Sequence, residues 1–459
     1  MFKYQVNELE MLYMRNTKQM KLGAFFFLPG HHLASWRYPS AKTNEAFTFD
    51  FIKEQAQLAE KAKFDMVFFA DVFGEEIVEN DRSGLKFDPI VLISALQAVT
   101  KNIGFVSTAT TTYNEPFHLA RKFGSIDHLS GGRAAWNIVT SSNGKEASLF
   151  GKDHHLEHAR RYERAEEFVE VTKKLWHSIE NEALVLDKER GQFLNKEKTH
   201  RVEHHGEWFD VEGYLDQTET PQGHPVLVQA GSSEAGKEFA AKTAEVIFTA
   251  WQTLEAGQQF YADVKGRLAK YGRHADDLKV MPGVFITVAK TEEEARAKQQ
   301  QLSSYILPEV GLKYLSGVTD SDFSQYDIDD AFPLDAPNAD PSNPQTRYHV
   351  IRDLAVRENL VTIREVYERV AGARGHQEIV GTPTQIVDQL EEWFVNGAAD
   401  GFNIMPPHFP EGFTDIIDLV IPELQRRGLF RTEYESTTLR GNLGLKTPTA
   451  ADVLGAVTQ

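Results

Sequence analysis

The chain has 459 residues, 41% of them hydrophobic and 25% charged, with no cysteine. That composition excludes a disordered or collagen-like polymer, a disulfide scaffold, a thiolate zinc site and a cysteine nucleophile. With 49 basic against 67 acidic residues the net charge is −18, which repels phosphate backbones, and no lysine or arginine run offsets it.

No stretch approaches the ~20 apolar residues that a membrane helix needs, and the amino terminus lacks the basic-then-apolar layout of a secretory signal. A cytoplasmic protein with neither nucleic acid nor membrane as partner is expected. Residues 1–20 read as an extension without a clear period. From Lys21 onward, short runs rich in Val, Ile and Phe alternate with amphipathic stretches, the pattern of repeated βα units around a parallel sheet. Strands are predicted over residues 22–28, 66–71, 103–111 and 134–141. Helices follow them over 48–64, 88–101, from Pro116, and over 158–177. Four further strands are predicted at 225–230, 246–250, 280–289 and 402–405, with helices from Ser233, Thr253, Thr291 and Phe413.

Eight alternations favour an α/β chain folded as a (β/α)8 TIM barrel over an open doubly wound sheet. The barrel is expected over 21–430 as a single domain, with insertions at about 180–223 and 307–377 and a tail over 431–459. Either insertion can be a surface loop or a lid.

In a barrel the chemistry lies at the carboxyl ends of the strands. Asp71 closes the second predicted strand, as a turn cap or a ligand contact. Thr108 belongs to a run of hydroxyl residues, Ser107 to Thr112, that suits strand structure as well as ligand binding. Asn137 lies within an apolar strand, where an amide must find partners. His158 and Tyr162, four apart, present an imidazole and a phenol at one helix start. His154, His155 and His158 lack the glutamate of the HExxH arrangement, so no metal site is expected. Gly231-Ser232-Ser233 opens a helix directly after a strand, which makes either a phosphate-sized cradle or an ordinary serine cap. Glu238 stands where a Walker A loop needs a hydroxyl. His31 and His32, beside Trp36 and Arg37 after the first strand, suit the barrel mouth.

In this order, several segments resemble the bacterial-luciferase-like flavin monooxygenases. The resemblance is to the group that holds nitrilotriacetate monooxygenase component A and the EDTA, dibenzothiophene sulfone and long-chain alkane monooxygenases. The segments are Trp36-Arg37, Phe69-Ala70-Asp71, Tyr113 to Arg121, Asp127 to Arg133 running into Trp136 to Ser141, Gln229 to Ser233, Val380 to Pro383 and Gly397 to Phe402. The resemblance implies a barrel and a two-component monooxygenase. A separate NAD(P)H:flavin reductase delivers FMN as FMNH2, and O2 adds to form a C4a-(hydro)peroxyflavin that oxygenates a small-molecule substrate at C–N, C–S or alkane C–H. By the same resemblance Asp71, Thr108, Asn137, His158, Tyr162, Ser232 and Ser233 contact FMN, and the chain forms a homodimer or homotetramer; His31 and His32, from their place in the first loop, are expected to supply catalytic polar groups on the peroxide or substrate side. The alternatives are an F420-dependent oxidoreductase of the same superfamily and a flavin-binding barrel without turnover.

Overall fold

Eight parallel strands close on themselves in the computed structural model, which describes residues 18–74, 79–80, 85–141, 143–319, 321–335 and 346–455. They are β1 Lys21–Phe25, β2 Met66–Phe69, β3 Gly104–Thr110, β4 Ala134–Val139, β5 Val226–Gln229, β6 Val246–Thr249, β7 Lys279–Val288 and β8 Gly401–Met405. The ring runs β1 to β6 in chain order, and β7 then pairs with both β6 and β8. Closure is made by β8 against β1, with Leu22 opposite Phe402. The chain therefore folds as a (β/α)8 barrel with insertions, all eight strands falling on the predicted apolar runs.

The strands are near-continuous apolar runs because both of their faces are covered. In β3 and β4, Val106 and Ala135 point into the lumen with Phe25, Phe68 and Val228, while Phe105 and Trp136 point outward under the helices. The outer layer begins with α1 Phe49–Lys61, α2 Pro89–Gln97, α3 Pro116–Ser130 and α4 His158–Trp176, and continues with α5 Glu234–Thr243, α6 Leu254–Arg267 and α7 Glu292–Ser304. Hydroxyl or carboxylate caps start several of them: Thr48, Asp88, Ser233, Thr253 and Thr291 each accept an amide hydrogen bond from the first turn. The last helical run, Glu411–Asp415, continues through the π-helical turn Ile416–Val420 into Ile421–Arg426.

Three features depart from the expected layout. The first predicted strand ends at Phe25, and the chain turns there into the loop that carries His31 and His32. A ninth parallel strand, Gln377–Gly381, hangs on the carboxyl-terminal half of β7, with Val284 opposite Gln377. Strand β7 thus rises past the ring, because its first half serves β6 and its second half serves the extra strand. Between residues 180 and 223 lie two hairpins, Leu184–Asp187 with Gln192–Leu194 and Val202–His205 with Asp210–Gly213.

The second interruption holds the helices Pro308–Thr319, Thr346–Glu358 and Ile363–Val370, which share a core with Leu33 and Ala34 of the β1 loop. Part of its acidic stretch, residues 320 and 336–345, lies outside the described residues, as do residues 1–17 of the amino-terminal extension. Residues after 430 floor the barrel: Leu439, Leu443 and Leu445 join the lumen cluster at the amino ends of the strands. Gly104 makes room for this, since a Cβ there would stand 2.7 Å from Leu439 Cδ1.

Candidate active site

The carboxyl ends of β2 to β5 and the first turns of α4 surround a cavity of about 220 Å3. Thr108 and Thr110 of β3 point into it because they continue the inward alternation set by Val106. The parallel register places Thr108 opposite Asn137 of β4. Asn137 Nδ2 donates to Thr108 Oγ1 at 2.8 Å, and that hydroxyl donates to the Phe69 carbonyl at 2.8 Å. Asn137 is 3% exposed, and its Oδ1 has no hydrogen-bond partner among the described residues. A buried acceptor left in that state costs about 1–3 kcal/mol, which a donor on a ligand recovers.

Asp71 lines the same cavity, with Lys86 3.8 Å away. The cap of α2 is Asp88, which accepts from Val91 N at 3.0 Å. Tyr162 forms the opposite wall, its ring 5.0 Å from that of His158 and edge-on to Phe239 of α5 at 6.0 Å. Phe239 thereby holds the starts of α4 and α5 side by side. His158, Ser232 and Ser233 are exposed there, outside the cavity lining. Ser233 Oγ accepts from Gly236 N at 3.1 Å and so serves as the α5 cap. Gln229 and Ala230, just before them, do line the cavity.

One lining group escaped the sequence reading. Glu146 opens the short helix Glu146–Leu149 and is 1% exposed against the cavity. Burial pushes its carboxyl above the ordinary range, opposed by the Ser141 hydroxyl, His155 and Arg161 nearby. Tyr113 OH donates to His155 Nδ1 at 2.6 Å, and His155 Nε2–H donates to the Ser141 carbonyl at 3.0 Å, which fixes the imidazole tautomer. Ser141 itself has φ 58°, a left-handed conformation held by its bond to Thr110 Oγ1 at 2.8 Å. Tyr113 stacks on Phe150 with ring centroids 4.3 Å apart.

His31 and His32 lie on the β1 side of the mouth and are buried, at 0% and 4% exposure. His31 Nε2–H donates to the Phe25 carbonyl at 3.0 Å, and its ring meets Phe25 edge-on at 4.4 Å. His32 Nδ1 accepts from Ala34 N at 3.1 Å. Near them a smaller cavity of about 70 Å3 lies among apolar side chains, including Phe26, Phe27, Phe47, Phe69 and Leu92. The structure therefore gathers Asp71, Thr108 and Tyr162 at one chamber with Asn137 bonded to Thr108 behind its wall, sets His158, Ser232 and Ser233 on an exposed shelf beside it, and leaves His31 and His32 at a different part of the mouth.

The loop after Ile363–Val370 crosses that part and carries two further groups that sequence reasoning missed, Arg374 and His376. The Arg374 guanidinium lies 4.3 Å over the Phe27 ring, and His376 stacks on Phe248 at 5.0 Å. Gly283 of β7 admits His376, because a Cβ there would stand 2.5 Å from the imidazole Nδ1.

Comparison with known proteins gives consistent results. The family model for luciferase-like monooxygenases matches residues 25–401. The chain is 51% identical to nitrilotriacetate monooxygenase component A of Aminobacter aminovorans, over 94% of this chain and 98% of that protein. It is 49% identical to N-acetyl-S-(2-succino)cysteine monooxygenase of Bacillus subtilis (strain 168), with the same two coverages. Among solved structures, riboflavin lyase RcaE, crystallised with modified FMN and riboflavin, superposes with a TM-score of 0.80 at 31% identity, over 94% of this chain and 97% of that one.

Proposed function

We propose that this chain, which belongs to the luciferase-like monooxygenase family and is a flavin-dependent monooxygenase, is the oxygenating half of a two-component system. It takes FMN, as FMNH2, from a separate NAD(P)H:flavin reductase and uses O2 to oxygenate a small organic substrate at a C–N or C–S bond. The designation "component A" in the name of the 51%-identical relative supports the two-part organisation, and the names of the two relatives support the bond types. The reductase reaction belongs to the cytoplasm, and we place this chain there with it.

The observation that carries the reading is the unfilled Asn137 Oδ1, buried beneath the cavity that Thr108, Tyr162, Asp71 and Glu146 line. These residues fit a flavin: an amide acceptor and hydroxyls suit the polar edge of a ring, and Tyr162 offers an aromatic wall. Reduced FMN, when bound, supplies the electrons and the ring on which oxygen is activated. The protein's own part is to hold that ring and exclude water. Thr108 and Asn137 lock one another, so the acceptor is aimed before the ligand arrives. Glu146, whose carboxyl burial raises above the ordinary range, adds a polar group to the chamber wall. Ser232 and the amides at the start of α5 suit a phosphate, with His158 beside them. His31 and His32 face the substrate side. Val91 of α2 and Leu129 of α3 are 69% and 87% exposed, which suits the subunit contact of a homodimer or homotetramer.

The test supplies the purified chain with FMN, NADH, a flavin reductase from another source and 18O2, against a panel of secondary and tertiary amines and thioethers. The reading expects substrate-dependent oxygen uptake and one 18O atom in the oxidised product. Uptake that no substrate alters, with no labelled product, contradicts it.

A further inference from the structure

Another cavity, of about 320 Å3, opens at the amino-terminal end of the barrel, opposite the mouth. It lies where the last turns of α4 and α5 meet the start of β6 and the chain around Leu445, which packs at the amino ends of the strands. Charged side chains of both signs line it, and its size suits a small ligand.

The carboxylates in that wall are already engaged. Glu245, directly before β6, is held by both terminal nitrogens of Arg440 and accepts from Leu227 N at 2.9 Å. Asp452 pairs with Lys446 at 3.0 Å and accepts from Thr449 N at 3.0 Å. Asp277 accepts from His274 N at 2.8 Å.

The cations are not all answered. Arg273 donates to the carbonyls of Ala241, Ala244 and Asp277, neutral acceptors that occupy its N–H groups and leave its charge in place. Lys242 and Lys446 stand at the rim, 45% and 73% exposed, in surface pairs of a kind that contributes little. The ammonium of Lys173, partly buried in the last turn of α4, has no hydrogen bond or ion pair among the described residues. Burial holds it below the ordinary lysine range; Glu245 opposes that shift, while Arg273 and Arg440 add to it. A basic residue in a last helical turn complements the helix dipole, and Lys174 has that placing too, paired with Glu170 at 2.6 Å. The dipole does not explain why Lys173 faces two guanidiniums that share one saturated carboxylate. Three cations thus gather around Glu245 in a chain whose net charge is −18. An anion between them removes their mutual repulsion and gives the ammonium the acceptors it lacks.

We propose that this cavity binds a phosphate group, free or esterified on a small molecule, with Lys173 as its central ligand and Lys242 and Lys446 closing on it from the rim. A tetrahedral dianion presents oxygens in every direction, which matches cations carried by four separate segments: α4, α5, the turn of Arg273 and the tail. The site is separate from the chamber of Thr108 and Tyr162, since Tyr162 and Lys173 stand near opposite ends of α4.

The experiment titrates the full-length chain by calorimetry with inorganic phosphate and with glycerol 3-phosphate, at constant ionic strength in chloride. Saturable binding of at least one is expected, and the tighter of the two identifies the free or the esterified form. Lys173→Gln should weaken that binding about tenfold or more, and Lys173→Arg should keep most of it. Ser232→Ala, at the mouth, should leave it unchanged. Should Lys173→Gln not fold, the exposed pair Lys242→Gln with Lys446→Gln takes its place and should weaken binding several-fold. No saturable binding of either probe, binding as tight as the parent's in the lysine variant, or binding lost in Ser232→Ala and kept in Lys173→Gln overturns the proposal.

Discussion

Asn137 and Thr108, opposite one another on adjacent parallel strands, are locked in one direction. The amide donates to the hydroxyl at 2.8 Å, and the hydroxyl donates onward to the Phe69 carbonyl at the same distance. While the Thr108 hydroxyl donates to the Phe69 carbonyl it can only accept from the amide, which leaves Asn137 Oδ1 without a partner among the described residues. Rigid pre-aimed groups of this kind lower the cost of ordering a site when a ligand enters.

Removing either partner should therefore weaken flavin binding more than it weakens the fold. Asn137→Ala deletes the acceptor and Thr108→Val releases its orientation. Each should raise the FMN dissociation constant about tenfold, the worth of about one hydrogen bond. Titration of flavin fluorescence reads the change, and the parent melting temperature should be kept to within a few degrees.

Glu146 should make the ligand-free chain sensitive to pH in a defined direction. Its folded carboxyl is raised above the ordinary value by burial. Folding is then favoured most below the unfolded value of 4.5, and that contribution falls as pH rises through the folded one. Glu146→Gln removes the dependence. The variant should melt about 1–2 °C above the parent at pH 8 and level with it near pH 4, by differential scanning calorimetry.

Asp127 offers the same test away from the site. It is wholly buried near the end of α3, accepts from Ala134 N at 3.0 Å and Gln222 Nε2 at 2.7 Å, and burial pushes its carboxyl up to about 6. A group raised from 3.8 to about 6 loses about 2–3 kcal/mol of stabilisation as pH rises through that interval. Urea midpoints of Asp127→Asn should vary less between pH 4 and 8 than those of the parent, with the gain confined to the upper end.

The segment after residue 430 should be essential to the barrel although its described residues pack at the amino ends of the strands, away from the mouth. Arg431 pairs with the buried Asp65 at 2.5 Å and also donates to the Asn442 carbonyl. Arg440 is 0% exposed and holds Glu245 with both terminal nitrogens. Arg431→Ala strands Asp65 without its cation and should cost about 3–5 kcal/mol of stability. The paired change Asp65→Asn with Arg431→Met should cost less than the single one, as judged from urea unfolding.

The barrel was legible because each of its eight strands is a contiguous apolar run, and burial on two faces demands that pattern whatever the loops do. The ninth strand was not, because Gln377-Glu378-Ile379-Val380-Gly381 carries a glutamate where an apolar residue is expected. Glu378 is tolerated there by pairing with Arg369 and accepting from Gln299 Nε2 at 2.6 Å, partners set by the tertiary fold. Thr108 and Asn137 stood out singly as polar residues in apolar runs, but only the β3–β4 register makes them a pair. Glu146 reads as an ordinary surface helix residue until the loops carrying Phe73, after β2, and Ser141, after β4, close around it. Arg374 and His376 enter the mouth through a loop that crosses from an insertion, which no local pattern announces. The serine cradle was ambiguous in sequence, and the structure assigns the Ser233 hydroxyl to the cap.

Anaerobic equilibrium dialysis against photoreduced FMN probes the reduced-flavin site between β2 and α5. One FMNH2 should be retained per chain, held more tightly than oxidised FMN and released about tenfold more readily by Asn137→Ala. Retention of no flavin in either oxidation state, or retention by Asn137→Ala equal to the parent's, would rule such a site out.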